Sequence, residues 1–312
     1  MNVKNTFYSF GLITIVYVAV LVWIDTRSDV FVHILDVLYQ LPFLLAFAFC
    51  SWVVRYARWN WLLSKAGAFY PIKLGLAAYL SGFAFTASPG KVGELVRIRY
   101  FVPMGVTHDK VISAFVFERL SDLIAVLLLS LLIATQFDLF WIAASFVGFV
   151  FTTLMVLVLN PIILRRVYIA LRFTNWKRML RILRYLVLGI NGIRIWLKPS
   201  VFLVSIGFGL VAWGLLALSF MWLLGIWSLS IEPLAALAIY PLAMLVGAAS
   251  MIPGGLGSTE ASIVAILYSF EVSIDKATII AVTIRIATLW SAIFVGMIAL
   301  LYLERLMFRE KK

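Results

Sequence analysis

Cysteine is almost missing from this chain. Cys50 is the one cysteine in 312 residues, so no internal disulfide can form. His33 and His108 are the only histidines, and with a single cysteine they make a zinc site of the usual ligand set unexpected. No metal or other cofactor is expected. Charge is scarce too, at 13% of residues, where soluble domains carry about 25%. Nucleotide-loop, HExxH and G-x-S-x-G patterns are all missing. No polar stretch is long enough to fold as a soluble catalytic domain. The chain is therefore not expected to be an enzyme; a membrane-embedded lipid-modifying enzyme is the alternative within that class.

Apolar residues are abundant instead, at 64% with a mean hydropathy of +1.07. This composition indicates an all-α polytopic membrane protein forming a single integral membrane domain over 1–312. The net charge of +12 could suggest nucleic acid, but the basic residues lie between apolar runs. That is the pattern of positive-inside topology, and no nucleic-acid partner is expected.

A spanning helix needs about 20 apolar residues at 1.5 Å each. Spans are expected at about 7–24, 36–54, 111–137, 139–160, 200–225 and 277–303. Arg55, Arg58, Lys65 and Lys73 read as a basic cytoplasmic loop. The segment 165–198 holds nine Lys/Arg and no acidic residue, with Trp176, Leu180, Leu183 and Val187 on one helical face; it reads as an amphipathic linker lying on the inner leaflet. Two stretches do not fit simple crossing. If 74–101 spanned, every later basic loop would fall on the wrong side, so it reads as a re-entrant hairpin. The stretch 234–270 is broken at Met251-Ile-Pro-Gly-Gly-Leu-Gly, and its second limb is too short to cross, so it reads as another. The expectation is about six full spans plus two re-entrant helical hairpins, with both termini cytoplasmic in a cell (inner) membrane.

The two hairpins match in sequence. Ser88-Pro-Gly-Lys-Val-Gly-Glu aligns with Ile252-Pro-Gly-Gly-Leu-Gly-Ser, and Val106-Thr-His-Asp-Lys with Val272-Ser-Ile-Asp-Lys, which places Arg119 on Arg285. Pro89 to Arg119 is 30 residues and Pro253 to Arg285 is 32. With repeat cores at about 74–137 and 234–303, and hairpins dipping from opposite sides, the copies would be inverted, a transporter architecture. Broken helices are tolerated in lipid only where they are buried or line a cavity. A cavity is thus expected between the tips Pro89, Gly90, Gly93 and Pro253, Gly254, Gly255, Gly257.

Ionisable residues inside a membrane are costly and mark function by default. The candidate substrate-binding residues are Lys91, Glu94, Arg119, Asp122, Glu260 and Arg285. Backbone N–H groups opening a helix after each glycine turn would add to an anion site. The alternatives are structural: Arg119 can pair with Asp122, three residues on along its own helix, and Arg119 and Arg285 can snorkel. Arg97 and Arg99 are either part of the site or interfacial anchors.

SPGKVGELVR with its following ERLSDL, and PGGLGSTEA with a later arginine and Trp290, resemble the lysylphosphatidylglycerol synthase transmembrane region, a flippase-like integral membrane family. The resemblance covers roughly residues 7–305, and PGGLG followed by Glu260 is its most specific piece. It implies movement of a phospholipid between leaflets. The chain stops at Lys312, so the family's soluble transferase domain is expected to be absent and lysyl transfer is not implied. The partners expected are membrane lipids, an anionic phospholipid or a polyprenyl-phosphate-linked lipid. The alternative is a non-transporting partner of an envelope glycosyltransferase or other envelope biosynthetic enzyme.

Overall fold

The computed structural model describes residues 39–160 and 192–309, with isolated residues between those stretches. The expected first span at 7–24 and nearly all of the amphipathic linker lie outside the described residues. Those that are described form helices and turns, with no strand among them. Among the described residues, four helical stretches are long and apolar enough to cross a membrane: Leu41–Lys65, Phe140–Leu157, Pro199–Ile226 and Ile274–Met307.

Helix α1 (Leu41–Lys65) begins beside Pro42, a residue suited to a first helical turn because its missing N–H has no partner there anyway. It ends at Gly67, whose φ of 68° lets Ala68 N–H reach back to Leu63 O at 2.9 Å. The helix therefore runs eleven residues past the expected span at 36–54, because no breaker stands between Arg55 and Ala66. Arg55 and Arg58 are not in a cytoplasmic loop: both are helical, and both are buried. That is a correction to the sequence reading.

Helix α2 (Ile72–Ser81) continues as a 3-10 turn to Phe85. The chain then turns at Ser88 and returns as an irregular 3-10 stretch over Pro89–Arg97 and a short turn at Ile98–Phe101. Helix α3 (His108–Ser130) carries Glu118, Arg119 and Asp122 within it, as the length argument required, and tightens to 3-10 over Leu131–Gln136. Helices α4 (Asp138–Leu159) and α5 (Pro199–Ile226) follow the expected spans closely. Helix α6 (Pro233–Ala249), a turn at Pro253–Gly255 and helix α7 (Ser258–Ser269) form the second hairpin. At 17 and 12 residues, these limbs reach about 26 and 18 Å, below the ~30 Å apolar core of a bilayer. Helix α8 (Ile274–Arg285) runs through a π turn at Ile286–Trp290 into α9 (Ser291–Arg309).

The two halves correspond in geometry as well as in sequence. Each tip has two successive left-handed residues after its proline, Gly90 (φ 58°) and Lys91 (φ 56°) in one, Gly254 (φ 65°) and Gly255 (φ 64°) in the other. Val106 and Val272 donate to the carbonyls of Phe101 and Leu267, at 3.1 and 3.2 Å, each behind a left-handed residue, Gly105 or Glu271. Thr107 and Ser273 then stand at the N-cap of α3 and α8, so Arg119 and Arg285 are each the twelfth residue of their helix.

Packing between the halves is reciprocal. Helix α1 crosses α5, the α2 limb lies on α9, and α6 lies on α3. Gly296 makes the α2–α9 contact possible, since a Cβ there would fall 2.7 Å from the carbonyl carbon of Phe83. The tips themselves meet: a Cβ on Gly254 would lie 3.2 Å from Ala87 Cα.

Candidate functional site

Between the tips lies a cavity of about 310 Å³, lined at its polar end by Ser88, Lys91, Arg119 and Asp122, and by Thr259 across from them. Its remaining wall is largely apolar, with Leu123, Val126, Phe146, Val150 and Trp213 among the residues on α3, α4 and α5. A second chamber of about 60 Å³ shares Lys91, Trp213 and Met244 with it. Arg55, Thr86, Glu94, Tyr240, Arg285 and Thr288 supply the polar part of that smaller wall.

Helical spacing builds the charged core beside these spaces. Arg55 and Arg58 lie on one face of α1, opposite Glu118 and Asp122 on one face of α3. Arg58 Nη2 reaches Asp122 Oδ1 at 2.7 Å and Glu118 Oε1 at 3.2 Å, while Arg55 Nη1 stands 3.5 Å from Asp122 Oδ2. Tyr79 donates its hydroxyl to Glu118 Oε1 at 2.6 Å. From the first hairpin, Arg97 Nη2 binds Glu94 Oε2 at 2.8 Å, Nη1 binds Glu118 Oε2 at 3.3 Å, and Nε donates to Tyr79 O at 3.0 Å. Its guanidinium also lies 4.0 Å from the Tyr79 ring centre. Thr86 completes the Glu94 carboxylate with a 2.8 Å bond.

Arg97 and Arg99 thus separate. Arg97 is fully buried in this network, whereas the Arg99 side chain is 43% exposed and pairs with Glu304 at 2.9 Å. Arg119 stands 3.3 Å from both Glu118 Oε2 and Asp122 Oδ2 and 3.9 Å from Glu94 Oε2, yet its Nε and Nη2 have no hydrogen-bond partner. Thr259 Oγ1, and Asp122 Oδ2 despite its ion pairs, are likewise buried without a hydrogen bond. Most buried polar groups find partners, so several orphans around one cavity mark a place for a polar ligand.

Lys91 makes no ion pair among the described residues; its ammonium lies 5.8 Å from the Trp213 ring centre. Arg55, Arg58, Arg97, Arg119 and Lys91 therefore surround three carboxylates, Glu94, Glu118 and Asp122. The excess is cationic, and in a weakly polar surrounding it attracts an anion strongly. No group of three or more His, Cys, Asp or Glu among the described residues is placed to hold a metal.

The second repeat has its own pair. Arg285 Nε binds Glu260 Oε1 at 3.0 Å and Nη2 donates to Gly254 O at 2.6 Å. The arginine is 1% exposed and immediately precedes the π turn, a helix defect that recurs at functional sites. It does not snorkel.

Four of the N–H groups at the tips are already taken within the chain. Lys91 N–H is taken by Ser88 O and Gly93 N–H by Ser88 Oγ, at 2.9 and 2.8 Å. In the second tip, Gly255 donates to Ile252 O and Gly257 to Glu260 Oε2, both at 2.9 Å. Glu260 itself occupies the positive end of α7. Attraction for an anion passes to side chains, above all Lys91 and Arg119.

Lys91, Arg119 and Asp122 line the large cavity, while Lys91, Glu94 and Arg285 line the small one. Glu260 reaches the assembly through Arg285. Sequence reasoning placed these six together but missed Arg55, Arg58 and Trp213. No curated protein and no solved structure matches this chain significantly. The lysylphosphatidylglycerol synthase TM region matches residues 9–296, and on that match this integral membrane protein belongs to that family.

Proposed function

We propose that this protein is a lipid flippase that moves an anionic or phosphate-linked lipid headgroup between the leaflets of a cell (inner) membrane. The observation that carries the reading is the 310 Å³ cavity between the tips, with Lys91 and the under-bonded Arg119 at its polar end. Phosphate oxygens are suited to both: an ammonium offers a point charge and a guanidinium offers a fork of donors. The apolar wall from Leu123 to Val150 suits lipid tails that stay outside the polar pocket. Membership of a family named for lysylphosphatidylglycerol synthesis supports lipid handling.

In this reading both hairpins are re-entrant, dip from opposite faces, and make the halves an inverted repeat. Both termini are cytoplasmic. The halves are in different states: Arg285 holds its own tip through Gly254 O, whereas Arg119 is 3.9 Å from Glu94. Exchange of these two states would carry the headgroup past the tips, with Glu94 and Glu260 alternately releasing and retaking their arginines.

Reconstitution into liposomes with a leaflet-resolved assay of an anionic phospholipid tests this. Wild type should equilibrate the lipid between leaflets, and Arg119→Gln should reduce the rate at least tenfold at equal reconstitution. Equal rates in wild type and protein-free liposomes would refute transport. A changed lipid species would indicate an enzyme instead, and tight co-purification of an envelope enzyme without lipid movement would indicate a scaffold.

A further inference from the structure

The small chamber has no role in holding the headgroup in the large cavity, yet its wall is built for an anion. Arg55, Lys91, Arg285 and Glu94 line it, and the hydroxyls of Thr86, Tyr240 and Thr288 complete its polar side. Arg55 also pairs with Asp122 and Arg285 with Glu260, which leaves Lys91 as the lining cation with no ion pair among the described residues. Its volume of about 60 Å³ accommodates a compact group and excludes a lipid tail. One wall is common to both spaces: Lys91, Trp213 and Met244. Trp213 is 5% exposed, and its indole N–H is buried without a partner. Arg55 lies 4.4 Å and Lys91 5.8 Å from its ring centre, so two cations rest on the partition between the chambers.

We propose that the small chamber is a second oxyanion subsite, taking a tetrahedral phosphate group that has passed the Lys91–Trp213–Met244 wall. Lys91 serves both chambers and hands the anion from Arg119 to Arg55 and Arg285. The indole N–H of Trp213 is the donor that bridges the two positions. This route rests on the transport reading above; occupancy of the chamber by phosphate does not.

Two substitutions fill the chamber without replacing a residue of the large cavity. Ala292→Leu adds bulk from α9 and Leu216→Phe from α5; both positions line only the small space. The probe is inorganic phosphate, titrated calorimetrically into the full chain in phosphatidylcholine nanodiscs. Wild type should bind two phosphates and each filled variant one. A single site in wild type, or two in both correctly folded variants, would overturn the subsite. Measurement on wild type decides the question even if a variant fails to fold. In the liposome assay, the filled variants should retain anionic-lipid binding but lose at least tenfold in transfer rate; wild-type transfer rates in them would overturn the route. If wild type moves no lipid, the transport reading fails while the phosphate stoichiometry still decides the chamber.

Discussion

Replacing Lys91 by glycine should make the protein more stable and less able to bind its ligand. Lys91 has φ 56° and ψ 21°, a left-handed conformation that costs an L-residue roughly 1–2 kcal/mol. Glycine removes that cost but gives back about 0.5–1 kcal/mol through the larger freedom of the unfolded chain. The balance lies between no change and a gain of about 1.5 kcal/mol. Gly255 shows that the same tip geometry is met by glycine in the other repeat. A residue kept in a strained conformation at a cavity wall is one whose side chain is needed there. Losing the ammonium removes one charge-assisted contact to the anion, worth about 1.5–3 kcal/mol, or roughly a 10–100-fold loss of affinity. Equilibrium unfolding in mild detergent reads the first quantity, and binding of a short-chain anionic lipid reads the second. A loss of more than 1 kcal/mol in stability together with unchanged lipid affinity would refute the reasoning and make Lys91 a structural residue.

Other substitutions should separate structural from functional charges. Glu118→Ala leaves Arg58, Arg97 and the Tyr79 hydroxyl without their shared partner and should cost about 3–5 kcal/mol, read as an early unfolding midpoint in detergent. Pairing it with Arg58→Met should recover part of that loss, because the stranded charge is removed with its partner. Arg99→Ala breaks a pair whose arginine is 43% exposed and should cost less than about 1 kcal/mol, with transport rates unchanged. Arg97→Ala, two residues away, should behave like Glu118→Ala, and similar behaviour of the two arginine variants would contradict the division drawn here.

Much of this arrangement can be read from the sequence because membranes restrict what a chain may do. The Pro-Gly turns, the length shortfall of α7, and the matched placement of Arg119 and Arg285 all follow from residue order and helix rise. Arg55 and Arg58 were misplaced because a count of basic residues beside an apolar run treats them as a loop. The helical pattern Ser51, Arg55, Arg58, Leu62 continues the buried face of α1, and no breaker precedes Gly67; that was the signal available. Glu260 as the cap of Gly257 was also legible, since an acidic residue three positions after a helix start is a capping pattern. Trp213 was not legible. Nothing in an apolar helix distinguishes one tryptophan as the partition between two chambers until the opposing cations are placed against it. The different states of Arg119 and Arg285 are equally invisible in a sequence that makes the repeats look equivalent.

The most direct test is an experimental structure of the protein in nanodiscs containing an anionic phospholipid. Phosphate density within hydrogen-bonding distance of Lys91 and Arg119, with acyl chains along Leu123, Val126 and Val150, is the predicted result. Tip cavities free of phosphate, with the anionic lipid bound only on the outer surface of the helices, would contradict the account.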